Sequence, residues 1–207
     1  LATGQPERAI KALHLRGRIA HVQGDWNDAQ LLFQQALSLA EQCEREEDIL
    51  SQLNNLCILQ MERGEYEAAE TCYRQLLERS QTAGYALGVA MATGNLGLIA
   101  LESSSLDEAE RFFNLAKAQY EELNDLEAQA SNLGNLGLVA SRRGHHHHAV
   151  DSYKQALLLM HTARNPQGVL LYLNNLGDST FRLGRLDEAE SYYRQAVALA
   201  QQLRSPS

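Results

Sequence analysis

Four consecutive histidines, His145, His146, His147 and His148, are the residues whose type most readily suggests chemistry. Imidazoles at a helix start can capture nickel or zinc. Adjacent residues do not share one helical face, so a closed tetrahedral shell is awkward. The cluster reads as a loose surface group, with adventitious metal capture through His145, His147 and His148 and no dedicated metal site. A second set is His14 and His21, two helical turns apart with Arg18 between them. They could contact an anion; as ordinary polar residues on a helix they need no ligand. Three cysteines, Cys43, Cys57 and Cys72, form no Cys-x-x-Cys pair and are odd in number. That speaks against a disulfide framework and a cysteine zinc site, and towards a reducing, cytoplasmic setting.

No Gly-x-Gly-x-x-Gly phrase, phosphate loop or Ser-His-Asp order is present. The expectation is a chain that is not an enzyme and needs no cofactor. The net charge is −8 over 207 residues, with a pI near 5.4. A nucleic-acid binder needs a basic face to displace counterions, so direct nucleic-acid binding is not expected. No apolar run reaches the ~20 residues that span a bilayer, and an acidic chain is a poor fit to an anionic membrane surface.

The elements that must carry these residues recur. Asn-Leu-Gly stands at Asn95-Leu96-Gly97, Asn135-Leu136-Gly137 and Asn175-Leu176-Gly177, a step of 40. One step further back lies Asn55-Leu56-Cys57, and another step back a degenerate copy, Leu15-Arg16-Gly17. Other columns keep the step: Gly24, Gly64, Ser104, Gly144 and Gly184; Ala29, Ala69, Ala109, Ala149 and Ala189; Phe33, Tyr73, Phe113, Tyr153 and Tyr193. The small residues let two helices approach closely. The aromatic four residues after the alanine lies one turn along the same face. The second-column Gly follows a first helix, where a left-handed cap is wanted. Acids such as Asp107-Glu108 and Asp187-Glu188 open the second helix, where the dipole favours negative charge. Leu53, Leu56 and Leu59 keep helical spacing, and no segment alternates like a strand.

Leu-x-x-Leu-Gly, then Gly, then Ala-x-x-x-Phe/Tyr resembles the tetratricopeptide repeat signature over essentially the whole chain. The usual first-helix Trp is replaced by Leu13, Leu53, Thr93, Leu133 and Leu173. The usual Tyr is replaced by Ala20, Gln60, Ala100, Ala140 and Thr180, which points to tighter packing. The step of 40 rather than 34 implies longer helices or longer connections. It resembles the repeats of kinesin light chain, of spindle-orientation adaptors, and of sensor arrays in bacterial signalling ATPases and transcription activators. The implied fold is all-α: a right-handed superhelical solenoid of five antiparallel helix-turn-helix hairpins. The repeats divide as 10–49, 50–89, 90–129, 130–169 and 170–207, with 1–9 a junction or the end of a preceding repeat. Gln5-Pro6, Asn165-Pro166 and Ser205-Pro206 fall in one phase, so both ends are expected at repeat junctions. That suggests an array cut from a longer protein, or a short protein whose bare ends pair as a homodimer.

In such arrays the first helices line a concave, ligand-binding face. The resemblance places Asn55, Asn95, Asn135 and Asn175 there. Their amides could hold the backbone of an extended peptide, or brace neighbouring helices. Met61, Met91, Leu98, Leu101, Leu138 and Phe181, with Ile58 and Leu171, are the expected apolar contacts, and Arg142 and Arg182 would read an acidic position. Slots that hold a carboxylate clamp in chaperone adaptors read His14, Arg18, Asn55, Met91 and Asn95, which excludes recognition of heat-shock chaperone tails. Gly94 and Gly134, ahead of the asparagine, imply groove space or close helix packing. The expected function is a scaffold binding a protein or peptide segment. The alternatives are an effector-sensing regulatory array and a self-assembly module.

Overall fold

The computed structural model describes residues 4–204. The described residues form ten helices and no strand: α1 (Gly4–Gln23), α2 (Trp26–Gln42), α3 (Glu46–Glu62), α4 (Tyr66–Thr82), α5 (Ala86–Glu102), α6 (Leu106–Glu122), α7 (Leu126–Arg142), α8 (His146–Thr162), α9 (Pro166–Arg182) and α10 (Leu186–Arg204). They follow one another as five helix–turn–helix pairs with connections of two or three residues. The long repeat is therefore explained by longer helices, and the eight from α2 to α9 are all equal in length.

The step of 40 keeps its length, but its phase moves. Each first helix starts ahead of the cuts at 50, 90, 130 and 170, at Glu46, Ala86, Leu126 and Pro166. Asn165 caps α9, accepting a hydrogen bond from the Gly168 amide at 2.9 Å, with Pro166 in the first turn. Gln5-Pro6 lies in the first turn of α1. Ser205-Pro206 lies outside the described residues.

Every connection ends the helix before it in the same way. The residues at positive φ are Gly24, Glu44, Gly64, Gly84, Ser104, Asn124, Gly144, Arg164 and Gly184. The amide that follows each of them reaches back to a carbonyl in the last helical turn, as in Asp25 N–H to Ala20 O (2.9 Å) and Arg185 N–H to Thr180 O (3.0 Å). This is the Schellman cap. The period of the backbone is thus 20, and the repeat of 40 is two equal arms.

The residues fall into two compact units, Leu1–Ile99 and Ala100–Ser207. In the first, α1 packs on α2, α2 on α3 and α3 on α4. Phe33 is buried with Ala29, Ala20 and Leu59, so the aromatic of one hairpin meets a leucine of the next. In the second unit, α6 packs on α7, α7 on α8, α8 on α9 and α9 on α10. Val150, Tyr153 and Met160 of α8 share a core with Val169, Tyr172, Leu173 and Leu176 of α9. The recurring small residue is a steric requirement: a Cβ on Gly17, Gly137 or Gly177 would lie 2.5–2.6 Å from the ring of Phe33, Tyr153 or Tyr193. Gly134 has the same role against Tyr172, at 2.6 Å, which decides for close packing there.

In the second hairpin Cys57 takes this glycine's place and is disulfide-bonded to Cys72 on α4. The expectation of unpaired cysteines is corrected. The sequence separation of 15 hides the pairing, because the turn between α3 and α4 folds the two positions face to face, 5.5 Å apart at Cα. Only Cys43 is free, so the cysteine argument for a reducing compartment rests on that residue alone. No helix of the described residues is long and apolar enough to cross a membrane.

Candidate functional site

Positions three and four apart share a helical face, and on each first helix one such stripe faces solvent. It reads Ser51, Asn55, Ile58 and Glu62 on α3; Met91, Asn95, Leu98 and Glu102 on α5; Ser131, Asn135, Leu138 and Arg142 on α7; Leu171, Asn175, Asp178 and Arg182 on α9. Within each stripe the asparagine is half-buried.

The asparagines differ in what they hold. Asn55 Nδ2 lies 3.3 Å from His14 Nδ1, and that same nitrogen lies 3.2 Å from Gln52 Oε1. Asn55 therefore braces α3 against α1, and His14 is spent in the brace. His21 Nε2 meets Glu62 Oε2 at 2.5 Å. With both histidines tied to α3, the anion reading of His14, Arg18 and His21 loses two of its three groups. Asn95, Asn135 and Asn175 make no side-chain hydrogen bond among the described residues.

The apolar set separates into two kinds. Met91 and Leu98 are half-buried in the stripe, while Leu138 and Leu171 are exposed. Leu101 is only 2% exposed, among the largest fully buried side chains, and is corrected from ligand contact to core. Met61 and Phe181 stand in the same column as Leu101, one step before it and two steps after. Of the residues in that column, Leu101 is the buried one. Met61 is half-buried, and Phe181 is 60% exposed. Sequence alone hides the distinction, since Leu98 and Leu101 are one turn apart on a helix that is apolar on nearly every side.

The two arginines also differ. Arg142 donates to the Leu101 carbonyl at 2.6 Å and lies 3.5 Å from Glu102. Arg182 is exposed, with no ion pair among the described residues. Asp178 of α9 accepts a hydrogen bond through Oδ1 from the Tyr193 hydroxyl of α10 at 2.5 Å. That hydrogen bond, more than desolvation, pushes the Tyr193 phenol up to about 12.

The histidine run stays scattered. His145 and His148 meet edge to face, with centroids 5.8 Å apart. His147 Nδ1 lies 3.4 Å from Arg185, and His146 is half-buried in the slot of Trp26 and Tyr66. Among the described residues no three His, Cys, Asp or Glu side chains gather where they could hold a metal ion.

Sequence reasoning missed a set of buried polar side chains on the first helices. Gln52, Asn54, Asn132 and Ser179 are buried; Asn132 donates to Ala128 O at 2.9 Å, and Tyr172 donates to Ala130 O at 2.8 Å. Gln52, Asn132 and Tyr172 share one column whose other members are Ala12 and Ala92. Polar side chains alternating with alanine in a single column are the signal that could have found them.

Family profiles described as tetratricopeptide repeat match residues 47–122 and 88–160, with further matches at 169–206 and 12–47. The chain belongs to the tetratricopeptide repeat family. Comparison with curated protein sequences gives no significant match. Among solved structures, this tetratricopeptide repeat chain is similar to BtubC (BKLC) from P. vanneervenii, at 20% identity and a TM-score of 0.84, over 100% of this chain and 86% of that one. A Podosopora anserina protein described as a kinesin light chain with nearly identical TPR-like repeats aligns at 16% identity and a TM-score of 0.72, over 98% of this chain and 99% of that one. A Rap protein complexed with Competence and Sporulation Factor aligns at 16% identity and a TM-score of 0.73, over 96% of this chain and 65% of that one. At these identities the likeness is one of fold.

Proposed function

We propose that this tetratricopeptide repeat chain is a protein-interaction scaffold, and that an extended or helical peptide segment lies across the solvent-facing stripes of α7 and α9. The observation that carries the reading is on α7 and α9, which touch one another. Asn135 and Asn175 recur there in one column without a side-chain partner, and each is flanked by an exposed leucine, Leu138 or Leu171. Exposed apolar side chains beside unpaired amides are what a peptide backbone with alternating side chains requires. Asn135 and Asn175 hold the backbone, Leu138 and Leu171 take apolar side chains, and Arg182 reads an acidic one. Asn95, Met91 and Leu98 present the same chemistry on α5. A structural relative solved with Competence and Sporulation Factor adds support from fold analogy.

Selection of random peptides displayed on phage tests the proposal. The unaltered chain is the target, and a variant with Asn95, Asn135 and Asn175 changed to Ala is the counter-target. Peptides held by the unaltered chain and released by the variant are expected. Equal retention by both would take the three asparagines out of the binding surface and move the sensor-array reading ahead.

A further inference from the structure

We propose that a hollow between α8, α9 and α10 binds a small amphipathic organic acid, an apolar body carrying one carboxylate. The hollow has a volume of about 510 Å³, within the range of small-ligand sites. Its floor is Met160 of α8 with Val169 and Leu173 of α9, all buried in one core cluster. Pro166 and Leu199 stand beside them, half-buried. At 3.6 residues per turn, Pro166, Val169 and Leu173 lie on the opposite side of α9 from Leu171, Asn175 and Asp178. The hollow is therefore separate from the stripe proposed to hold a peptide.

The apolar lining has a cause in the sequence. The step of 40 puts Pro166 in the column of Glu46, and Leu199 in the column of Arg79. Between α3 and α4 those two residues form an ion pair across the same place, at 2.7 and 3.2 Å. Between α6, α7 and α8 the walls are Leu126 and Leu159, but Tyr120 and Gln129 take the floor positions of Met160 and Val169. There Gln129 Nε2 donates to the Tyr120 carbonyl at 3.2 Å. Only around α9 do carbon floor and carbon walls coincide, with neither an ion pair nor an amide bridge across them.

Charge at the rim selects the head group. His161 and Arg164 line the hollow, both exposed and neither in an ion pair among the described residues. In the three preceding repeats the His161 column reads Glu41, Gln81 and Glu121, and the Arg164 column reads Glu44, Gly84 and Asn124. The sign is thus reversed here, in a chain whose net charge is −8. A basic residue also suits a helix C-terminus, yet α2 and α6 end without one in their last turns. None of the described residues that line the hollow is acidic. Glu127, on α7, is taken up by Asn165 Nδ2 at 2.9 Å. An arginine beside apolar walls matches a carboxylate through paired, charge-assisted hydrogen bonds, with the acid's hydrocarbon body over Val169 and Leu173.

Titration of the isotope-labelled whole chain with octanoate, followed through its amide resonances by NMR, tests the proposal. Octylamine, with the same chain and the opposite charge, is the control. Saturable shifts confined to the residues around the hollow are expected, with octanoate bound roughly tenfold or more tighter than octylamine. A His161→Glu/Arg164→Glu variant carries the residues of the first repeat at both positions, and Glu44 holds the same positive φ as Arg164. Its fold should therefore persist, which circular dichroism checks, while its affinity for octanoate falls roughly tenfold or more. A Pro166→Glu/Leu199→Arg variant installs the ion pair of Glu46 and Arg79 and should abolish the shifts. Leu199 packs against the core, so the rim variant decides the matter if this one melts early. Octylamine bound as tightly as octanoate, shifts that never saturate or that centre on Asn135 and Asn175, or unchanged octanoate affinity in the rim variant would overturn the proposal.

Discussion

Leu101 and Leu138 both belong to the apolar set that the sequence assigns to ligand contact, yet they stand in different columns and differ in burial from 2% to 38% exposed. Leu101→Ala should cost about 2–5 kcal/mol in urea unfolding, the range for buried leucines. Leu138→Ala should stay within about 0.5 kcal/mol, as surface changes do. Tyr73 and Phe113, both fully buried, should each cost about 3–5 kcal/mol on change to Ala. Gly177→Ala places a methyl 2.5 Å from the Tyr193 ring, and overpacking of this kind costs about 1–3 kcal/mol. The glycine and aromatic columns were legible in the sequence because only small residues tolerate such an approach. The disulfide was not legible, because Cys57 and Cys72 stand on different arms and meet only when the hairpin closes. A thiol titration of the folded, unreduced chain should count Cys43 alone, and all three cysteines after reduction and unfolding.

Helix termination sets the element scale. Glycine marks the ends at Gly24, Gly64, Gly144 and Gly184, so those turns could be read in advance. The turns at Glu44, Asn124 and Arg164 could not, since the Schellman hydrogen bonds hold residues other than glycine at positive φ. A side chain in the left-handed region costs about 1–2 kcal/mol relative to glycine. Arg164→Gly should therefore raise stability by up to about 1 kcal/mol, while Gly64→Ala should lower it by a similar amount; paired thermal melts measure both. Equal arms also explain why the register never slips. Each helix presents the same face to its neighbour at every step of 40, so a solvent-facing stripe recurs wherever a packing stripe does.

At the scale of the whole molecule, the repeated burial of tyrosines sets the alkaline limit. Burial pushes the phenols of Tyr120, Tyr153 and Tyr172 up to about 12, and that of Tyr73 higher still. The neutral form is favoured in the fold, so the unfolded chain releases these protons first. Their contribution is complete below pH ~10 and is lost as the pH rises towards 12. The melting temperature should fall steeply across that window, and more shallowly in Tyr172→Phe, although that change also removes the bond to Ala130. The array was legible from the sequence as a whole because five copies of each column agree. The proposed binding surface was only half legible, because burial in a solenoid depends on which column faces the next repeat, and leucine serves in both kinds.

The most direct measurement is the affinity of a display-selected peptide for three dilute, monomeric samples: the unaltered chain, a Leu138→Asp/Leu171→Asp variant, and a Phe181→Asp variant. The account predicts at least a tenfold loss for the first variant and unchanged affinity for the second, because Phe181 lies outside the stripe of Leu171, Asn175, Asp178 and Arg182. Unchanged affinity for Leu138→Asp/Leu171→Asp, or loss through Phe181→Asp alone, would contradict it.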